Sequence, residues 1–256
     1  MDSGYHVYGT IRRESDGRSL SAALGSHFSP IILDVTDEVS VKRIAGELMI
    51  KLGSGGLSAL VNNAGISVRG ALSEVDGASL RKQFEVNVFG PVQISRAFLP
   101  LLEQPAGGRG RSLIVNISSM VTAMNPPLSG SYTSSKAALE AFSHAWRQEL
   151  YGRGINVMIV RPGAVRSDIW DKNHNGPPEP DVRYAGVYKR LTELTARGLD
   201  GAYECDDFGR RVIRLMNRRR PPLLTTLSRE PWYARRLPSI LPRRWSDQLF
   251  RTVLGF

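Results

Sequence analysis

The feature that most constrains this chain is an alternation of short apolar runs with longer helical patterns. Strand-like runs stand at 6–11 (HVYGTI), 30–35 (PIILDV), 57–65 (LSALVNNAG, running into a loop), 112–119 (SLIVNISS) and 155–165 (INVMIVRPGAV, ending in a Pro-Gly loop). Helical patterns lie between them: one capped by Thr36 or Asp37, a long one over 79–103 and a strong one over 131–151. Nearly continuous apolar strands, each followed by a helix, predict a parallel sheet covered on both faces. With 256 residues and 41% hydrophobic content, one large α/β domain fits better than two small ones. The expected boundaries are a main domain over 1–208, with a polar excursion at about 168–205 acting as a lid, and an Arg- and Pro-rich helix and extension over 209–256 packing on that domain.

Composition narrows the function. A single cysteine, Cys205, excludes an intrachain disulfide and agrees with a reducing compartment. The four histidines are scattered without zinc-ligand spacing, so no metal site is expected. The N-terminus has no basic segment followed by an apolar run. No apolar run approaches the ~20 residues needed to span a bilayer, so a cytoplasmic protein is expected. The net charge is +10, and 209–256 alone carries it, with twelve Arg against Glu230 and Asp247. A solvated basic tail is the plain reading. Contact with anionic lipid or with nucleic acid is the sharper one. The aromatics Trp232, Tyr233 and Trp245 have no nucleic-acid motif beside them, so no nucleic acid is expected, and peripheral membrane contact stays open.

The stretch SGSYTSSKAALEAF at 129–142 puts Tyr132 and Lys136 on one helical face. A phenol alone titrates near ~10 and serves poorly at neutral pH. A neighbouring ammonium favours the phenolate, and the pair then becomes a usable proton donor or acceptor for a carbonyl or alcohol. Tyr-x-x-x-Lys by itself is also a common surface pair. Its context is what raises it: Ser119, Asn62-Asn63-Ala64-Gly65 and Arg161-Pro162-Gly163 each follow a strand, where parallel sheets bind ligands. Asn87, a mediocre helix former in mid-helix, marks a kink whose freed carbonyl could hold a water.

The motifs NNAG (62–65), VNVFG (86–90), NISS (116–119), YTSSK (132–136) and RPGAV (161–165), in that order and spacing, resemble the classical short-chain dehydrogenase/reductase family over about residues 4–170. The resemblance implies a Rossmann-like, doubly wound parallel sheet in three α/β/α layers, and a nicotinamide cofactor. It assigns Tyr132 as the general acid in reduction, Lys136 as the group that lowers its pKa and binds the nicotinamide ribose, and Ser119 as the residue that polarises the carbonyl. Ser118 competes for that role, but the family spacing favours Ser119. Asn87 would hold the water of a proton relay. Asn62, Ala64 and Gly65 would line the adenosine side, with Asp34 and Val35 at the adenine. Pro162, Gly163 and Val165 would flank the nicotinamide, and Ser167 stands where the family often has Thr.

For the cofactor, no acid follows the strand VYGTIRR, and Thr10 and Arg12 resemble the pattern of members that prefer NADP(H), with Arg13 as the alternate and NAD(H) as the second candidate. The family's Thr-Gly-x-x-x-Gly-x-Gly loop should precede Gly4, yet only three residues do. LGSGG (52–56) and GGRG (107–110) precede strands and are connectors. The expectation is therefore an N-terminally truncated version of the fold. Its strands at 6–11 and 57–65 would lie about two spacings, roughly 9–10 Å, apart.

The function expected is NADP-preferring interconversion of an apolar carbonyl and a secondary alcohol, with Trp170, Tyr184 and Tyr188 roofing the substrate. Members of that family often pair through helices that correspond to about 91–103 and 132–151, so the resemblance also implies a dimer or tetramer. The alternatives are a catalytically impaired binding protein without its phosphate loop, and a peripheral membrane or anion binder using the basic tail.

Overall fold

In a computed structural model, residues 4–104, 110–167, 169, 181–230 and 242–255 are described. The predicted parallel sheet forms. Strand β3 (Ala59–Asn62) pairs with β4 (Ser112–Ile117), β4 with β5 (Ile155–Pro162), and β5 with β8 (Leu224–Leu227), all parallel. A second parallel pair joins β1 (Val7–Ile11) to β2 (Phe28–Ile32), and a short third one joins β6 (Val165–Arg166) to β7 (Tyr203–Glu204). Among the described residues no ladder joins β1 to β3. Val7 and Val61 on those strands are 49% and 44% exposed, where a covered central strand would bury them.

The layers follow from alternation along the strands. On β4, Leu113, Val115 and Ile117 face one side and Ile114 the other, and all are buried. On β5, Ile155 and Val157 face Ile114's side while Met158 and Val160 face away from it. One side is closed by Val41, Ile44 and Leu48 of helix α2 (Glu38–Leu52) and by Ile94, Phe98 and Leu102 of α4 (Gly90–Leu102). Each such side chain contributes about 1.5–3 kcal/mol on burial. Asp37 caps α2, accepting from the Val39 and Ser40 amides.

Several elements depart from the sequence reading. β2 ends at Ile32, because the Asp34 carboxylate accepts from both the Thr36 amide and hydroxyl and turns the chain. The 79–103 pattern is interrupted: α3 (Gly77–Phe84) passes into a π-helical turn, Glu85–Phe89, before α4. The 168–205 excursion contains the helix α7 (Val182–Asp200). The C-terminal extension is part of the sheet through β8, and helix α8 (Cys205–Met216) buries Val212, Leu215 and Met216 against the second face. The helix α1 (Glu14–Leu24), with only Gly17 buried, gave no periodic signal. The remaining helices are α5 (Val121–Met124), α6 (Gly130–Glu149) and α9 (Arg243–Leu254). Among the described residues no helix is long and apolar enough to cross a membrane, and no cluster of metal-ligating side chains occurs.

Candidate active site

Because β3, β4 and β5 are parallel, the loops after all three leave one edge of the sheet. NNAG follows β3, Ser118-Ser119 follow β4, and Arg161-Pro162 close β5 with Gly163 beyond. Helix α6 crosses this edge with Tyr132 and Lys136 in its first turns.

Lys136 is 3% exposed, and its Nζ donates to the Ile117 carbonyl at 2.8 Å. A Cβ placed on Gly65 would lie 3.3 Å from both Lys136 Nζ and Asn87 Oδ1, so the glycine of NNAG is what lets these groups converge. Asn87 lies fully buried in the π-helical turn. Its Nδ2 donates to the Ile66 carbonyl at 2.9 Å and to Ser135 Oγ at 3.0 Å, and its Oδ1 accepts from the Ile66 amide. The kink expected at Asn87 is thus a π-bulge, a device that recurs at functional sites.

Tyr132 shares a side-chain hydrogen bond with Ser119. Ser118 points elsewhere, donating to Glu140 Oε1 at 2.5 Å. Burial pushes the Tyr132 phenol above its ordinary value, against lowering by the Ser119 bond and by the Arg69 guanidinium. The Lys136 ammonium sits 5.9 Å from the Tyr132 ring centroid, is held by Ile117, and is itself pushed down by burial to about 8, with Glu140 opposing.

Arg69 is a residue the sequence reading missed. Its neighbours lock it beside Tyr132: Ser131 Oγ donates to the Val68 carbonyl at 2.6 Å, and the Gly70 amide to the Leu128 carbonyl at 2.9 Å. Leu128 holds a left-handed φ of 60°, which burial at 6% exposure and the Gly70 bond sustain at the mouth of α6. Only a loop residue spaced by contacts with 128–131 could have signalled this, and such contacts leave no motif.

The other predicted residues divide. Arg12 lies near enough to Asp34 to lower its carboxyl, after the larger effect of the Thr36 bonds, so the two adenine-side candidates share one region. Thr10 is exposed on β1, and Arg13 is engaged with Asp16 at 3.1 Å. The Val35 side chain is in the core and its carbonyl accepts from Gln93. Asn62 is spent on structure: its Nδ2 donates to Asn116 Oδ1 at 2.7 Å and to Ser95 Oγ at 3.0 Å. Ala64 lies in the loop with Gly65. The Met120 amide donates to the Pro162 carbonyl at 2.9 Å, and a Cβ on Gly163 would meet Ser228 Oγ at 2.6 Å, so that loop is clamped between β4 and β8. Val165 is in β6, beside the exposed Ser167. Tyr184 packs over Ala71 and Leu128, and Tyr188 donates to Glu74 at 2.8 Å and accepts from the Ala71 amide. Trp170 lies outside the described residues.

Lys136, Tyr132 and the clamped 162–163 loop fit the nicotinamide-ribose end of a dinucleotide. Among the described residues, no glycine-rich turn follows a strand to open a helix and cradle its pyrophosphate; α1 opens on Glu14 and Asp16. A buried phenol bonded to a serine, beside a buried lysine at the carboxyl edge of a parallel sheet, is a set of groups able to exchange a proton with a carbonyl or alcohol oxygen.

Comparison with known proteins agrees. The family model for short chain dehydrogenases matches residues 1–177. The NADPH-dependent 3-dehydrocapnine reductase of Ornithobacterium rhinotracheale is 34% identical over 192 residues, covering 75% of this chain and 68% of that protein. A 3-ketodihydrosphingosine reductase of Bacteroides thetaiotaomicron is 28% identical over 225 residues, covering 88% and 79%. Among solved structures, a short-chain dehydrogenase from Streptomyces avermitilis superposes with TM-score 0.78 at 29% identity, covering 99% of this chain and 90% of that one. The chain belongs to the short-chain dehydrogenase family and is an NAD(P)-dependent oxidoreductase.

Proposed function

We propose that the protein uses NADPH to reduce an apolar ketone to a secondary alcohol. The observation that carries this is the Tyr132 phenol, held protonated by burial and bonded to Ser119 at the sheet edge. The reduced nicotinamide supplies the hydride. Ser119 Oγ donates to the ketone oxygen and orients it, and Tyr132 gives that oxygen its proton. Lys136 binds the nicotinamide ribose, and Asn87 positions the water that returns the proton. The field of Arg69 stabilises the phenolate left behind. Pro162, Gly163, Val165 and Ser167 flank the nicotinamide, with Ala64 and Gly65 along the adenosine side and Asp34 at the adenine.

The preference for NADPH rests on Thr10 and Arg12, exposed where the 2′-phosphate would lie, and on the NADPH dependence in the name of one relative. The apolar substrate rests on the roof over α6, where Tyr184, Tyr188 and Leu191 of α7 pack with Leu128, Phe250 and Leu254. Two relatives carry 3-dehydrocapnine and 3-ketodihydrosphingosine in their names, which favours a ketone on a lipid-like chain. Fluorescence titration tests the cofactor: NADPH should bind tighter than NADH, and Arg12→Glu should remove the difference. Equal binding of both by the wild type would overturn the preference.

A second reading concerns α9, whose Trp245, Leu249 and Val253 recur every four residues and are 67%, 53% and 45% exposed. Phe250 and Leu254 of the same helix pack on the substrate roof, and Arg243, Arg244 and Arg251 are exposed beside them. We read this helix as a peripheral contact with anionic lipid, next to where an apolar substrate would enter. We place the protein in the cytoplasm, pairing through α4 and α6; Phe89, just before α4, and Phe142 on α6 stand 49% and 41% exposed.

A further inference from the structure

Beneath the site lies a carboxylate that the proposed chemistry does not use. Glu140 follows Lys136 by one helical turn, and its residue is 7% exposed. Its Oε1 accepts from Ser118 Oγ at 2.5 Å, Thr122 Oγ1 at 2.9 Å and Arg161 Nε at 2.8 Å, and its Oε2 from Arg161 Nη2 at 2.6 Å. A buried charge this well bonded is costly to break and orders whatever it holds.

What it holds is the frame around Ser119. Ser118 and Thr122 bracket that serine in sequence. The single proton of the Thr122 hydroxyl is shared between Glu140 and the Ser119 carbonyl, 2.8 Å away, and the Thr122 amide donates to that carbonyl at 3.2 Å. Arg161 stands one residue before Pro162, whose carbonyl holds the Met120 amide. Three segments of the site, the turn after β4, the loop after β5 and α6, therefore meet on one side chain.

We propose that Glu140 is a positioning residue: through Ser118, Thr122 and Arg161 it fixes the Ser119 turn and the end of β5 relative to Tyr132. The inference rests on the reductase reading above. Burial works against the Glu140 carboxylate, yet the bonds from Arg161 and Ser118, the Arg161 charge and the Thr122 bond together hold it below its ordinary range. The Glu140 charge raises Lys136 against its burial, the Ile117 carbonyl accepts from Lys136 Nζ, and Arg69 faces Tyr132 from the loop after β3.

The test uses Glu140→Gln and Glu140→Asp with the wild type, measured as ketone reduction against pH. Glu140→Gln should lower kcat on the order of tenfold to a hundredfold, by misplacing Ser119. It should also move the alkaline limb to lower pH by about one unit, since Lys136 loses the anion that raises it. Glu140→Asp keeps the charge but not the reach, so kcat should fall while the limb stays. An alkaline limb and kcat unchanged in Glu140→Gln, with only a lower unfolding temperature, would overturn the proposal. Amide hydrogen exchange gives a readout without turnover: in Glu140→Gln, exchange should quicken together at 118–124 and 160–164 and not elsewhere. Unchanged or uniformly raised exchange would overturn the proposal even if the wild type reduced no ketone, an outcome that by itself would sink only the reductase reading.

Discussion

Lys136 shows what one residue costs a fold that uses it. Its burial favours the neutral amine, so its folded pKa of about 8 lies below the ordinary lysine value of 10.5. Below pH 8 both folded and unfolded chains carry the charge, and the folded chain bears the full desolvation cost. Between about 8 and 10.5 the unfolded chain binds the extra proton, so stability rises with pH. Lys136→Met removes this dependence. The unfolding temperature of the wild type relative to Lys136→Met should therefore rise between pH 8 and 10, as differential scanning calorimetry would show, and a constant difference would contradict it. Tyr132 and Lys136 were legible in sequence because helical spacing fixes which side chains share a face. Arg69 and Glu140 were not. Arg69 acts across a loop contact, and Glu140 reads as an ordinary polar residue until Arg161 and Ser118 are folded against it.

At the scale of elements, a polar seam ties the layers together. Ser95 of α4, Asn62 of β3, Asn116 of β4 and Ser143 of α6 form a buried chain of hydrogen bonds, ending with Ser143 donating to the Leu139 carbonyl at 2.6 Å. Asn62→Ala leaves the Asn116 oxygen unpaired in the core, and such a group costs about 1–3 kcal/mol. Urea denaturation should show that loss, while NADPH affinity per folded molecule should change little. A large fall in affinity without a fall in stability would return Asn62 to the adenosine side. Strand positions were legible because apolar runs are unmistakable in a doubly covered sheet. The π-bulge at Asn87 and the strand β8 were not: one depends on a single inserted residue, and the other is four residues, Leu-Thr-Thr-Leu, inside a Pro- and Arg-rich stretch.

Over the whole molecule, part of the basic segment lies on a helix that packs with α7: Arg243, Arg244 and Arg251 belong to α9. The twelve arginines of 209–256 share a sequence segment with α9, whose Phe250 and Leu254 pack with Tyr184, Tyr188 and Leu191 of α7. Sedimentation with vesicles containing phosphatidylserine should retain the protein at low salt and release it at high salt. Trp245→Ser with Leu249→Ser should weaken retention at both salts, and equal retention by neutral vesicles at every salt would contradict a role for the arginines. The family was legible from five short motifs: NNAG, NISS and RPGAV mark strand ends on one edge of the sheet, and VNVFG and YTSSK lie on the helical turns that meet them. The apolar cluster around Leu128 and Val187 was not, because it is assembled from α7, α9 and loops with no common pattern. The most direct measurement is NADPH oxidation, followed by absorbance, with a long-chain ketone at pH 7 for wild type and Tyr132→Phe. The account predicts turnover by the wild type and a loss of at least about 10²-fold in the variant, the contribution of a positioned general acid. Equal rates would remove Tyr132 from the chemistry and contradict the account.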